Sequence, residues 1–196
     1  MTTGSAEGRV LTVPNALSLA RLATVPVFVW LFVSGRENAA VVVYGIGAVS
    51  DFFDGYLARR MGAVTTLGKL LDPLADRVLI VALCIALLAR GVLSPWLAGA
   101  IVGRDLILLS LWPVLERRGV ERIPVNLAGK AATAALLFGL TWLALSQTSF
   151  GWATIGDRVG SVAVGVGAAL YWAAALLYAR QASGRWRETR VREPLA

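Results

Sequence analysis

Apolar residues fill this chain in runs of roughly 20, the length needed to cross a bilayer, separated by short charged or Gly/Pro-rich breaks. Read at helical spacing, the runs predict six helices near 15–34, 39–60, 67–89, 94–115, 128–147 and 160–179. Pro14 suits the first turn of a helix, and Asn15 and Ser18 follow it, so residues 10–21 also read in part as a segment lying in the membrane interface. No internal repeat or low-complexity tract breaks the pattern.

Composition agrees with this pattern. At 57% hydrophobic and 16% charged residues, a 196-residue chain has too little polar surface for a soluble globule. The expected fold class is an all-α integral membrane protein forming a single domain. Residues 1–12 are a polar N-terminus, 13–179 a six-helix core and 180–196 a basic tail. The small, polar first nine residues are not followed by a short apolar core with a small-residue cleavage site, so no signal peptide is expected.

The net charge of +7 raises the question of nucleic acid, but the arginines sit between apolar runs rather than on an amphipathic face. They fit membrane orientation instead. With both termini inside, thirteen Lys and Arg fall on the inner side, three (Arg36, Arg90, Arg158) in outer loops and three (Arg21, Arg77, Arg104) within helices. The expected localisation is a multi-pass cell-membrane protein with cytoplasmic ends. The only cysteine, Cys84, lies in an apolar run, has no partner for a disulfide and reads as a small core residue. Histidine is absent, which removes the usual neutral-pH base and the commonest metal ligand.

One stretch breaks the apolar rule. Residues 50–77 read SDFFDGYLARRMGAVTTLGKLLDPLADR, with Asp51 and Asp54 late in the second helix and Asp72 and Asp76 early in the third. An intramembrane carboxylate costs at least about 2.5 kcal/mol on insertion scales, so four of them mark function. Helical spacing puts Asp51, Asp54 and Ala58 on one stripe and Gly68, Asp72 and Asp76 on another. An antiparallel hairpin brings the stripes together, and unshielded carboxylates there would repel one another. Divalent cations relieve that repulsion. Oxygen-only ligands without His or Cys point to Mg²⁺ or Mn²⁺, and a hard ion near the membrane surface points to phosphoryl chemistry. Pairing with Arg59, Arg60, Lys69 and Arg77 is the structural alternative, and it accounts for one or two of the acids rather than four in register. Gly55, Ala58 and Gly68 leave room for a planar group or phosphate beside the backbone, or alternatively for tight helix packing.

The stretch has the form D-x2-D-G-x2-A-R-x8-G-x3-D-x3-D and resembles the signature of the CDP-alcohol phosphatidyltransferases, with every fixed position filled by Asp51, Asp54, Gly55, Ala58, Arg59, Gly68, Asp72 and Asp76. The resemblance covers nearly the whole chain. It implies a six-helix membrane enzyme, commonly homodimeric, with a cytoplasm-facing site holding two divalent ions. By resemblance, Asp51, Asp54 and Asp72 are metal ligands, and Asp76 is the general base and also a contact of the second metal. Gly55, Ala58 and Gly68 border the cytidine nucleotide, and Arg59 contacts the nucleotide or its phosphates. The implied reaction moves the phosphatidyl group of CDP-diacylglycerol to an alcohol and releases CMP.

The segment V-P-N-A-L-S-L-A-R at 13–21, Arg104-Asp105 in the fourth helix and Gly129-Lys130 opening the fifth are similar to members of this superfamily that use glycerol-based acceptors. The acceptor is therefore expected to be glycerol 3-phosphate or phosphatidylglycerol, with inositol phosphate as the alternative. Arg104, Arg122 and Lys130 are candidates for holding its phosphate. Arg122 and Lys130 are equally what a cytoplasmic loop requires, and Arg104 with Asp105 can also be a structural ion pair. A divalent-cation transporter is the rival from another class. It is disfavoured because the motif acids cluster near the inner face, with only Glu37 and Asp157, read as loop residues, toward the outer side. The complete aspartate set disfavours an inactive lipid-binding scaffold.

Overall fold

A computed structural model describes the backbone of residues 13–60, 66–117 and 127–192, with side chains described for 23–50, 74–110, 129–177 and 179–180. Among the described residues six helices follow one another: α1 (Val13–Val33), α2 (Glu37–Arg60), α3 (Thr66–Ala89), α4 (Pro95–Arg117), α5 (Leu127–Ser146) and α6 (Ala153–Arg192). Among the described residues there is no strand. The first five helices lie within a few residues of the expected ranges. Of the segment read as partly interfacial, residues 13–21 are the opening turns of α1, and 10–12 lie outside the described residues.

Local chemistry explains the breaks. Gly35 and Gly91 take φ of 78° and 71° just past the ends of α1 and α3, a conformation that costs glycine nothing. Around each, a six-residue closure forms: Arg36 N–H donates to the Leu31 carbonyl at 2.9 Å and Gly35 N–H to Phe32, and Val92 N–H donates to Leu87 at 2.9 Å and Gly91 N–H to Leu88. These bonds satisfy carbonyls the helix leaves open. Ser94 then caps α4, its Oγ accepting from the Leu97 N–H at 3.3 Å, with Pro95 in the first turn where its missing N–H removes no helical bond.

The last helix departs most from expectation. It begins at Ala153 rather than near 160, so Asp157 and Arg158 stand in its opening turns rather than in a loop, and Glu37 likewise opens α2. It also runs on to Arg192 through most of the segment read as a tail. The apolar run ends near 179, but Arg, Gln and Glu continue a helix about as well as Leu does. At 40 residues, α6 spans about 60 Å, twice the thickness of a hydrocarbon core.

The chain forms two compact units, Met1–Ala86 and Leu87–Ala196. In the first, α1 packs on α2. Phe28 is its buried centre, with ring centroids 5.5 Å from Phe32 and 5.6 Å from Tyr44. In the second, α5 and α6 run antiparallel in close contact. A Cβ added to Gly139 would come within 2.6 Å of the Val164 nitrogen, one on Gly160 within 2.7 Å of Leu143, and one on Gly167 within 2.9 Å of Leu136. Small residues at this spacing let two backbones approach closely, the packing mode of helices whose association the hydrophobic effect does not drive.

Leu106, Leu109, Val162 and Leu176 are all exposed. Among the described residues, two segments are long and apolar enough to span a bilayer by length and composition, Gly129–Ser146 and Ala153–Leu177, with shorter apolar segments at Ala23–Val33 and Glu37–Ser50. The apolar length of α2 and α3 is cut by the acids and bases of residues 51–77.

Candidate active site

Continuous helices over 37–60 and 66–89 give the acidic stretch a definite register. Asp51, Asp54, Gly55 and Ala58 recur at spacings of three and four along α2, and Gly68, Asp72 and Asp76 at spacings of four along α3. Each set occupies one face. Depth along the helices also matches. Asp54 and Asp72 each lie about 9 Å along the axis from the helix end that meets residues 61–65, and Asp51 and Asp76 lie about 13–15 Å from it. Residues 54 and 72 thus stand at one distance, and 51 and 76 at another, from the helix ends that adjoin residues 61–65.

Asp76 and its neighbour Arg77 are half-buried. The side chains of Asp51, Asp54, Gly55, Ala58, Arg59, Gly68 and Asp72 lie outside the described residues, as does all of Arg122. Among the described residues no group of three or more His, Cys, Asp or Glu is gathered as a metal site.

An apolar groove of about 580 Å³ in the first unit, lined by Trp30, Val33, Ser34, Val81 and Ile85 among others, is not a candidate for this chemistry. Val81 and Ile85 lie roughly 140–180° around α3 from Asp76, and Ser34 is the only hydroxyl lining it.

The acceptor candidates separate in the structure. Lys130 is exposed near the start of α5. Arg104 is buried in α4 at 6% exposure, beside Asp105 at 8%. Arg104 Nη1 donates to Asp105 Oδ1 at 3.0 Å. The Tyr171 hydroxyl, from α6, donates to the same carboxylate at 2.7 Å to Oδ1 and 2.9 Å to Oδ2. The Arg104 guanidinium carbon sits 4.0 Å from the centre of the Tyr171 ring, in cation–π range. Its Nε is buried with no hydrogen-bond partner among the described residues.

Tyr171 was not among the residues singled out from the sequence. The available signal was indirect: a buried aspartate in an apolar bundle needs donors, and a tyrosine in the middle of another apolar run supplies a hydroxyl. The carboxylate thus accepts from Arg104 and from Tyr171, while the guanidinium keeps donors in reserve.

Comparison with known proteins adds the family context. The CDP-alcohol phosphatidyltransferase model matches residues 11–180. The chain is 41% identical over 180 residues to a cardiolipin synthase (CMP-forming) of Streptomyces coelicolor, covering 88% of this chain and 83% of that protein. It is 31% identical over 156 residues to the CDP-diacylglycerol--glycerol-3-phosphate 3-phosphatidyltransferase of Bacillus subtilis, covering 72% and 80%. To the enzyme of the same name from Escherichia coli it is 35% identical over 138 residues, covering 67% and 75%.

Proposed function

This chain belongs to the CDP-alcohol phosphatidyltransferase family, and from that premise we propose that it transfers the phosphatidyl group of CDP-diacylglycerol to phosphatidylglycerol, forming cardiolipin and releasing CMP. The observation that carries the reaction is the complete set Asp51, Asp54, Asp72 and Asp76, at fixed spacing on two helices and at matched depths, inside the matched residues. Phosphatidylglycerol is favoured as acceptor because similarity to the cardiolipin synthase covers more of the chain than similarity to the glycerol-3-phosphate enzymes, and at higher identity than to those of Bacillus subtilis and Escherichia coli. Glycerol 3-phosphate is the second reading, supported by the similarity to those same enzymes.

In this reading Asp51, Asp54, Asp72 and Asp76 hold two divalent ions. The donor set fits: four carboxylates, in a chain without histidine, suit Mg²⁺ or Mn²⁺ better than Zn²⁺. The ions, when bound, neutralise the pyrophosphate of the CDP-lipid and the CMP that leaves. Asp76 takes the proton from the acceptor hydroxyl, whose oxygen attacks the phosphorus bearing diacylglycerol as the bond to CMP breaks. Gly55, Ala58 and Gly68 let the nucleotide lie against helix backbone, and Arg59 meets its phosphates. Arg104, Arg122 and Lys130 hold the acceptor phosphate.

The enzyme works within the cytoplasmic membrane as a six-span homodimer with both ends and the site facing the cytoplasm. Exposed apolar residues on the helices and the distribution of Lys and Arg support this placement.

The test is direct. Purified protein receives CDP-diacylglycerol with Mg²⁺ or Mn²⁺ and, separately, phosphatidylglycerol, glycerol 3-phosphate or inositol phosphate, with CMP and lipid product followed. Cardiolipin with CMP is the expected result. Phosphatidylglycerophosphate as the main product moves the assignment to the second reading, an inositol product moves it outside both, and no CMP with any acceptor overturns the enzyme reading.

A further inference from the structure

We infer that Tyr171 is a positioning residue for acceptor recognition: acting on both Arg104 and Asp105, it fixes the guanidinium so that its unused N–H donors meet the phosphate of the acceptor. The inference rests on the reading that Arg104 contacts the acceptor.

The argument starts from an imbalance. A buried ion pair offsets its desolvation only when both partners are satisfied, and here only one is. Asp105 receives hydrogen bonds from Tyr171 and from Arg104 at 2.7–3.0 Å. Among the described residues, Arg104 makes one bond to that carboxylate, has a ring against its face and keeps a buried Nε without a partner. A pair serving helix packing alone has no reason to leave its cation short of acceptors inside an apolar bundle, where an unmet donor is costly. A pair serving a ligand does. What the guanidinium lacks is an acceptor with oxygens to match a planar fork; carboxylate and phosphate both do so, and phosphate is the one the proposed acceptors carry.

Tyr171 controls the geometry from two sides. Its hydroxyl ties down the carboxylate that orients Arg104, and its ring closes one face of the guanidinium, confining further contacts to the guanidinium edge. Tyr171 is itself fully buried, with both features occupied, so it acts on the acceptor through Arg104.

The test compares Tyr171→Phe, which keeps the ring and loses the hydrogen bonds, with Tyr171→Leu, Asp105→Asn and Arg104→Gln. KM and kcat are measured separately for CDP-diacylglycerol and for the acceptor the enzyme uses, phosphatidylglycerol or glycerol 3-phosphate, alongside thermal unfolding in the same detergent. Tyr171→Phe and Asp105→Asn are expected to raise the acceptor KM on the order of tenfold, and Tyr171→Leu further, leaving the CDP-diacylglycerol KM within about twofold. If Arg104→Gln raises the acceptor KM while Tyr171→Phe and Asp105→Asn do not, the positioning role is wrong and the acceptor reading stands. If Arg104→Gln leaves the acceptor KM unchanged, the acceptor reading itself fails. Lowered unfolding temperatures with unchanged KM values make the cluster a packing device only and overturn the inference.

Discussion

A Cβ built on Gly160 would lie 2.7 Å from the backbone nitrogen of Leu143 and 2.8 Å from its Cγ. The nearest atom is backbone, so relief requires α5 and α6 to move apart. Gly160→Ala and Gly139→Ala are therefore expected to destabilise the protein by about 1–3 kcal/mol. Gly165→Ala is the control: it lies on the same helix with nothing within 4 Å, and it should be neutral or gain up to about 1 kcal/mol from helix propensity. Thermal unfolding in detergent ranks the three, and a Gly160→Ala protein as stable as the Gly165→Ala protein would contradict the close packing.

Asp72→Asn and Asp76→Asn each preserve side-chain size while removing charge. Loss of a general base lowers kcat by about 10²–10⁴, and that range is the expected effect for Asp76→Asn. Asp72→Asn should be at least as severe because it weakens the donor set. Both proteins should still insert and elute as the parent does. CMP release at the parental rate in both variants would refute the proposed division of roles.

Chelation should stop the reaction. After EDTA treatment, CMP release is expected to vanish and to return with Mg²⁺ or Mn²⁺ but not with Zn²⁺, which prefers nitrogen and sulfur ligands. Full activity in the presence of excess chelator would show that the four aspartates serve another purpose.

Most of the helical architecture was legible because apolar length is what the sequence reports. The ends of α1 and α3 were marked by Gly35 and Gly91, whose positive φ closes the helices, and α4 by Ser94-Pro95. The extent of α6 was not legible, since residues 180–192 lose apolarity without losing helix propensity. Aspartate spacing gave the stripes on α2 and α3, because one chain segment carries all four. Tyr171 was hidden for the opposite reason: its partner Asp105 is 66 positions away, and no local pattern links them. The close α5–α6 packing was likewise absent from the reading, because Gly139, Gly160 and Gly167 acquire meaning only once two helices are set side by side.

Orientation can be tested by labelling. The α1–α2, α3–α4 and α5–α6 connections carry Ser34, Ser94 and Ser149, all exposed, and each lies at the helix ends remote from the 61–65 connection if the helices alternate across a bilayer. α2 and α3 contain 24 residues each, about 36 Å of helix, enough to carry that alternation across a core of about 30 Å. The proposed orientation puts these three connections outside, with Arg36, Arg90 and Arg158 as the few basic residues near them and thirteen on the other side. Cys84 is buried, so native background should be low. Ser34→Cys, Ser94→Cys and Ser149→Cys are expected to react with a membrane-impermeant maleimide in intact cells, whereas Ala182→Cys should react only after permeabilisation. The reverse pattern would turn the aspartate end outward, away from the cytoplasm, and with it the site proposed for CDP-diacylglycerol.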